Sequence, residues 1–327
     1  MKLATLRSAG GRDGQLVVVD RALARCAAVP HIAPTLQAAL DRWSEVESLL
    51  REAFHDLESG KLATAQPFDA RACAAPLPRA HQWADGSAYV NHIELVRRAR
   101  GADMPEAYWK DPLIYQGGSD DLLGAHDDAR FVTEEHGIDL EAEVGVITDD
   151  VPMATPAEGM AAHVKLIVLI NDWTLRNLVP AELARGFGFY QSKPSTGFSP
   201  VAVTPEELGD AWQDGKVNLP LVSHVNGQLL GRPDAGIDMT FDFHQILAHA
   251  ARTRRLGAGT IVGSGTVSNV DRSSGSSCLV ERRTLELIQH GAPRTPFLSF
   301  GDVVRIEMLD ARGRSIFGAI EQKVTRA

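Results

Sequence analysis

The stretch "IDLEAEVGVI", residues 138–147, sets two glutamates, Glu141 and Glu143, one residue apart in an otherwise apolar run. Side chains of a β-strand alternate between faces, so these two carboxylates point the same way. Leu140, Ala142 and Val144 point the other way, toward a core. Like charges at that spacing repel. Either the face is simply wet, or a cation lies between them, and acidic residues elsewhere in the chain must decide which.

Outward from this strand, β-like runs dominate. "LVSHVNGQLLG" carries Asn226-Gly227 between alternating apolar residues, a strong hairpin signal. "DVVRIEMLDARGRSIFGAIEQKV" reads as a second hairpin, and "MKLATLRSAGGRDGQLVVVD" as two strands around a Gly-rich turn. Helices are few. Apolar residues at helical spacing predict one over "TLQAALDRWSEVESLLREAFHDLESG", capped by Thr35 and closed by Gly60. "TPAEGMAAHV" and "TPEEL" offer cap-like starts, and "DFHQILAHAARTRRLG" predicts a helix from Asp242 to Gly257. Strands outnumber helices without alternating with them, so the class is mainly β (α+β) rather than doubly wound. The Pro- and Ala-rich "LATAQPFDARACAAPLPRA" marks a connection, giving a small N-terminal domain over 1–77 and a larger one over 78–327.

Composition narrows the function. The 327 residues are 44% hydrophobic, ordinary for a globular chain with a sizeable core. A net charge of -9 argues against a nucleic-acid partner. The longest aliphatic run, "VKLIVLI", is far short of a membrane span, and no signal-peptide core is evident. Cys26, Cys73 and Cys278 are scattered and odd in number, which suits reduced thiols in the cytoplasm. "GSGTVSNVDRSSGSS" lacks the Gly-Lys-Ser/Thr of a phosphate loop, and His244 and His249 are off the i, i+4 register of a helical metal pair.

Two further stretches bear on the carboxylates. "VKLIVLINDWTLRN" ends an aliphatic strand in Asn171-Asp172-Trp173 with Arg176 close behind, and "WADGSAYVNHIELVRRAR" places Asp85 seven residues before His92. Each alone fits an ordinary surface pair. Together with Glu141-Ala142-Glu143, in this order, they resemble the fumarylacetoacetate hydrolase family. Lys193 in "GFYQSKPSTGFSPVAV", Thr266 in "TIVGSGTVS" and Glu281 in "GSSCLVERR" match the family's lysine, its late glycine-rich segment and its late glutamate. The likeness runs from about residue 80 to the C-terminus, and a small domain ahead of it is also in keeping with hydrolytic members.

The resemblance implies a mixed β-sandwich roll with a divalent ion at its mouth, held by Asp85, Glu141, Glu143 and Asp172. Such an all-oxygen set suits Mg²⁺ or Ca²⁺. It further implies that His92 is the base, Glu281 its orienting partner, and Arg176 and Lys193 the stabilising charges. Tyr115, Tyr89 and Thr266 would contact substrate. The implied reaction is hydrolysis of a C–C bond in a 1,3-diketo acid, most directly 4-fumarylacetoacetate to fumarate and acetoacetate, in a cytoplasmic homodimer. The alternatives are an acylpyruvate hydrolase, a 2-oxo acid decarboxylase or an oxo-acid hydratase or isomerase, and more remotely a non-catalytic metal-binding protein. Those enzymes typically lack the Asp…His element, which Asp85 and His92 supply here. Val179 stands where the family's fumarylacetoacetases carry glutamine and Ser87 where they carry tyrosine, and Arg97, Arg98 and Arg100 only approximate a family arginine.

Overall fold

The computed structural model describes residues 1–99 and 103–327. The valine- and isoleucine-rich segments build one long sheet in the order Gln66–Pro67, Arg25–Ala28, Gly11–Val19, Lys2–Ser8, Val201–Val203, Val164–Asn171, Ala142–Thr148, Thr260–Gly263, Gln82–Gly86, Ile114–Gly117. Every pairing along it is antiparallel except that of Thr260–Gly263 with Gln82–Gly86. A second sheet joins Gln228–Gly231, Leu221–Val225, Val303–Met308, Ile320–Arg326 and Ala129–Phe131. The chain is therefore mixed α+β and mostly sheet. Both expected C-terminal hairpins form, the first turning at Asn226-Gly227 with φ positive at both residues.

The central strands of the long sheet are buried on both faces, and alternation divides their side chains between two apolar layers. Ala4, Val17, Val19, Val144, Val146 and Ile167 face a layer shared with the second sheet. Leu3, Leu16, Val18, Ile147, Leu166 and Val168 face a layer shared with the N-terminal helices. Because Lys2–Ser8 pairs with Val201–Val203, the segments before and after residue 77 share one sheet.

The helices differ from their expected lengths. The N-terminal one is two, Leu36–Leu40 and Trp43–Glu58, broken at Arg42, whose φ of -133° and ψ of 34° are not helical. Thr35 does cap the first of them, accepting from the Ala38 N–H. "TPAEG" and "TPEEL" form only 3₁₀ turns, Ala157–Ala162 and Pro205–Ala211, because neither threonine caps: Thr155 donates to the Pro152 carbonyl and Thr204 accepts from the Met1 amino group. Phe243–Ala250 opens with a full capping box of Asp242 and Gln245 but stops seven residues short of Gly257.

Candidate metal and hydrolase site

Register brings the acidic residues together. Asp85 lies opposite Gly263, Gly263 opposite Gly145, and Glu143 opposite Ile170, so one end of four adjacent strands carries carboxylates from three segments. Gly263 makes the approach possible: a Cβ there would stand 2.4 Å from Asp85 Oδ1 and 3.0 Å from Glu143 Oε2. Asp172, just past Val164–Asn171, completes the group. Oxygens of Asp85, Glu143 and Asp172 lie within 4.8 Å of one another, and all three side chains are buried.

This trio is under-compensated. Asp85 accepts the Gly265 N–H at 3.0 Å. Asp172 accepts from Thr196 at 2.8 Å and from Tyr115 and Lys193 at 2.5 Å each. Neither oxygen of Glu143 has a partner among the described residues. Burial, then the charge of Asp172, pushes Asp85 up to about 8, and burial followed by Asp85 and Asp172 carries Glu143 well above the usual carboxylate range. Buried polar groups are ordinarily bonded, and a buried carboxylate is costly unless paired or on a metal. An orphaned glutamate beside two more carboxylates fits a hard divalent cation, which Asp85, Glu143 and Asp172 would hold.

Glu141, on the same side of the chain, is compensated from within. Its carboxylate receives Arg176 Nη2 at 2.6 Å, Lys193 Nζ at 2.5 Å and Thr174 Oγ1 at 3.1 Å. Burial would raise its pKa, but Arg176 and Lys193 outweigh that and hold it far below the ordinary value. Arg176 also donates through Nε to Asp139 at 2.8 Å. Asp139 in turn accepts the N–H groups of Leu279 and Val280, capping the helix Leu279–His290 from a distant segment. Arg176 and Lys193 thus line the cavity as members of ion pairs. Asp139 is absent from the residues singled out by sequence, although it opens the same "IDLEAE" stretch.

Across the cavity His92, on the helix Val90–Ala99, places Nδ1 2.7 Å from Oε2 of Glu281 on Leu279–His290. Burial opposes charge on Glu281, but its bonds to His92 and Ser268 outweigh it and lower the pKa. His92, Tyr115, Lys193, Thr266, Val179 and Phe189 all border one cavity of about 160 Å³, to which Asp85 and Glu141 also contribute. Tyr89 borders it too, with its hydroxyl committed to the Ala235 carbonyl at 2.6 Å. Of the nearby arginines, Arg97 bonds the Asp103 carbonyl and packs over Tyr108, Arg98 is exposed, and Arg100 lies outside the described residues. Cys278 is fully buried, and burial pushes its thiol well up, so it is inert.

Gln322 is a second residue that sequence reading passes over. It accepts from Asn171 Nδ2 and Trp173 Nε1, locking the "NDW" turn that presents Asp172, while Asn171 Oδ1 accepts the Glu141 N–H. Nothing local in "IEQKV" signals that task, since the partners lie about 150 positions away.

Comparison with known proteins gives two family matches: "Fumarylacetoacetate (FAA) hydrolase C-terminal" over residues 81–325 and "Fumarylacetoacetase N-terminal domain 2" over residues 1–79. The oxaloacetate tautomerase YisK of Bacillus subtilis is 26% identical over 189 residues, covering 57% of this chain and 58% of that relative. Among solved structures, the fumarylacetoacetate hydrolase of Exiguobacterium antarcticum superposes with a TM-score of 0.68 at 19% identity, covering all of both chains. Maleylpyruvate hydrolase from Sphingobium, in complex with manganese and pyruvate, gives 0.66 at 15% identity, again over both whole chains. At these identities the structural likeness speaks to fold alone. Among the described residues no helix is long and apolar enough to cross a membrane.

Proposed function

This chain belongs to the fumarylacetoacetate hydrolase family, and from that premise we propose that it hydrolyses a C–C bond in a 1,3-diketo acid with a divalent ion bound. The 4-fumarylacetoacetate of the family's name is the first substrate to test. One observation carries the reading: Asp85 of an under-compensated carboxylate trio and His92 of a His–Glu pair border the same small cavity. Mg²⁺ or Ca²⁺ suits the all-oxygen donors, and the manganese held by the Sphingobium relative is of the same hard class. A hard ion there supplies Lewis-acid polarisation of the substrate's carbonyl oxygens.

The chain's own residues do the rest. With Nδ1 committed to Glu281, His92 has Nε2 left to take a proton from water in the cavity. Glu281 orients the imidazole and stabilises it once charged. Lys193 and Arg176 keep Glu141 ionised and set the positive side of the cavity, where Tyr115 and Thr266 meet substrate. The homodimer and cytoplasmic location expected from sequence belong to the same reading.

The test is a screen of 1,3-diketo acids, fumarylacetoacetate first, with Mg²⁺, Mn²⁺ and Ca²⁺ supplied in turn, following loss of diketone absorbance. Cleavage into two acids is the expected result. The tautomerase relative favours a second reading, in which the His92 base moves a proton between carbon and oxygen of an oxo acid without cleavage. Proton NMR of the products separates the two, since an isomer keeps every carbon of the substrate. Metal-independent cleavage, or none with any metal, would overturn the first reading.

A further inference from the structure

The His92–Glu281 pair is the visible end of a longer chain of hydrogen bonds. Ser268 is fully buried and stands 2.7 Å from Glu281 Oε2, the same oxygen that faces His92 Nδ1. Two more groups reach the Ser268 oxygen: Asn91 Nδ2 at 2.9 Å and Arg272 Nη1 at 3.2 Å. Arg272 also lies 3.5 Å from Glu281 Oε1, and its cation favours the ionised carboxylate.

The donor and acceptor capacities fix the direction of every bond. A guanidinium can only donate, and an ionised carboxylate can only accept. Ser268 has one proton and must spend it on Glu281, which leaves its lone pairs to Arg272 and to the Asn91 amide. Oε2 then carries no proton, so the bond to His92 requires a proton on Nδ1. The imidazole is held in the tautomer whose Nε2 is unprotonated and free for the cavity. We propose that Ser268 and Arg272 are positioning residues: as the donor end of this chain they hold Glu281 and thereby fix the His92 tautomer that can accept a proton. This rests on the reading of His92 as the base, though the chain of bonds can be tested without substrate.

The experiment is ¹⁵N NMR of histidine-labelled protein, with His92 assigned by comparison with His92→Gln. In the unaltered protein with its imidazole uncharged, Nδ1 should give a protonated-type signal and Nε2 an unprotonated-type one. Ser268→Ala and Arg272→Gln should shift both toward the Nε2–H tautomer that free imidazole prefers. Arg272→Lys, which keeps a cationic donor, should restore the original pattern, and because Arg272 is partly exposed its variants test the idea even if Ser268→Ala fails to fold. With a substrate in hand, Ser268→Ala should lower kcat about tenfold with KM within about twofold, the lower end of what losing an outer-shell partner costs. An Nε2–H signal in the unaltered protein, or unchanged signals in both disabling variants, would overturn the proposal even if kcat fell. Absence of any diketo-acid turnover would count against the proposed reaction and leave the tautomer assignment by NMR intact.

Discussion

Glu141 and Glu143 sit two residues apart, the first bordering the cavity and the second buried behind it, and their surroundings are opposite. Around Glu141 the chain supplies its own counter-charges, so Asp139, Arg176, Glu141 and Lys193 form a buried network in which every member has partners. Around Glu143 no hydrogen-bond partner reaches either oxygen among the described residues, and two more carboxylates press in. A buried ion pair can be neutral in stability, but a buried uncompensated charge costs several kcal/mol. The first region is complete as folded. The second is a buried trio that could hold a metal ion, and the two stand side by side where Glu141 precedes the strand Ala142–Thr148 that carries Glu143.

The largest way to break this comparison is through Asp172, which belongs to both regions, touching Lys193 with one oxygen and standing in the trio. Asp172→Asn keeps the side chain's size and removes the charge a hard ion needs. Mg²⁺ affinity should fall by at least about 100-fold, beyond what loss of an outer-shell partner costs, and turnover should vanish while the circular dichroism stays native. Calorimetric titration checks it; unchanged affinity would place the ion elsewhere.

His92 lies outside both regions and should separate chemistry from metal binding. His92→Ala should bind Mg²⁺ almost normally while kcat falls about 10²–10⁴-fold, the usual worth of a positioned base. Glu281→Gln should resemble it, and the double variant should be little worse than either single, because the pair acts as a unit. Near-normal turnover by His92→Ala in a steady-state assay would favour a reaction that needs no activated water.

Stability should sharpen the contrast further. Glu141→Gln strips Arg176 and Lys193 of a shared partner and should destabilise the fold by roughly 3–5 kcal/mol. Glu143→Gln removes a carboxylate that has no hydrogen-bond partner among the described residues and should stabilise the metal-free protein by on the order of 1 kcal/mol or more. The pH dependence has a definite sign. Asp85 is carried from 3.8 to about 8 on folding, so between those values the folded chain holds a proton that the unfolded chain has released. Stability of the metal-free protein therefore falls as pH rises through that window, and saturating Mg²⁺ should flatten the fall. Urea unfolding midpoints at pH 5 and 8, with chelator and with Mg²⁺, measure it.

How much of this was legible in the chain depends on how far apart the cooperating residues lie. Alternation in "IDLEAEVGVI" and the Asn-Gly hairpin are local patterns, and both survive in the fold. The family likeness brought Asp85, His92, Glu141, Glu143, Asp172, Lys193 and Glu281 to notice, and they do border or adjoin one cavity. What stayed hidden was the division of labour. That Glu141 is neutralised by Arg176 and Lys193 follows from pairings 35 and 52 positions apart, and Asp139, Gln322, Ser268 and Arg272 depend on partners that no local pattern announces. The broken N-terminal helix shows the complementary failure, because periodicity continues across Arg42 while the backbone does not.

Val179 gives the smallest effect and probes the wall that neither charged region reaches. It begins the helix Val179–Arg185 and borders the cavity beside Phe189, whose ring stands edge-on to Tyr115 with centroids 5.5 Å apart. Where a glutamine could hydrogen-bond the substrate, valine offers only apolar contact. The neighbouring cations cannot stand in for it, since Arg176 and Lys193 are held by Asp139, Glu141 and Asp172. The unaltered enzyme should therefore discriminate weakly between a full diketo acid and one trimmed at that end. Val179→Gln should move the ratio of their kcat/KM values by about 1–3 kcal/mol at most, the worth of one hydrogen bond to a charged group. Metal affinity should not change, because position 179 touches neither the trio nor its compensated neighbour. A ratio that stays put would mean that this wall does not meet the substrate, and a change in Mg²⁺ affinity would mean that position 179 is coupled to the trio.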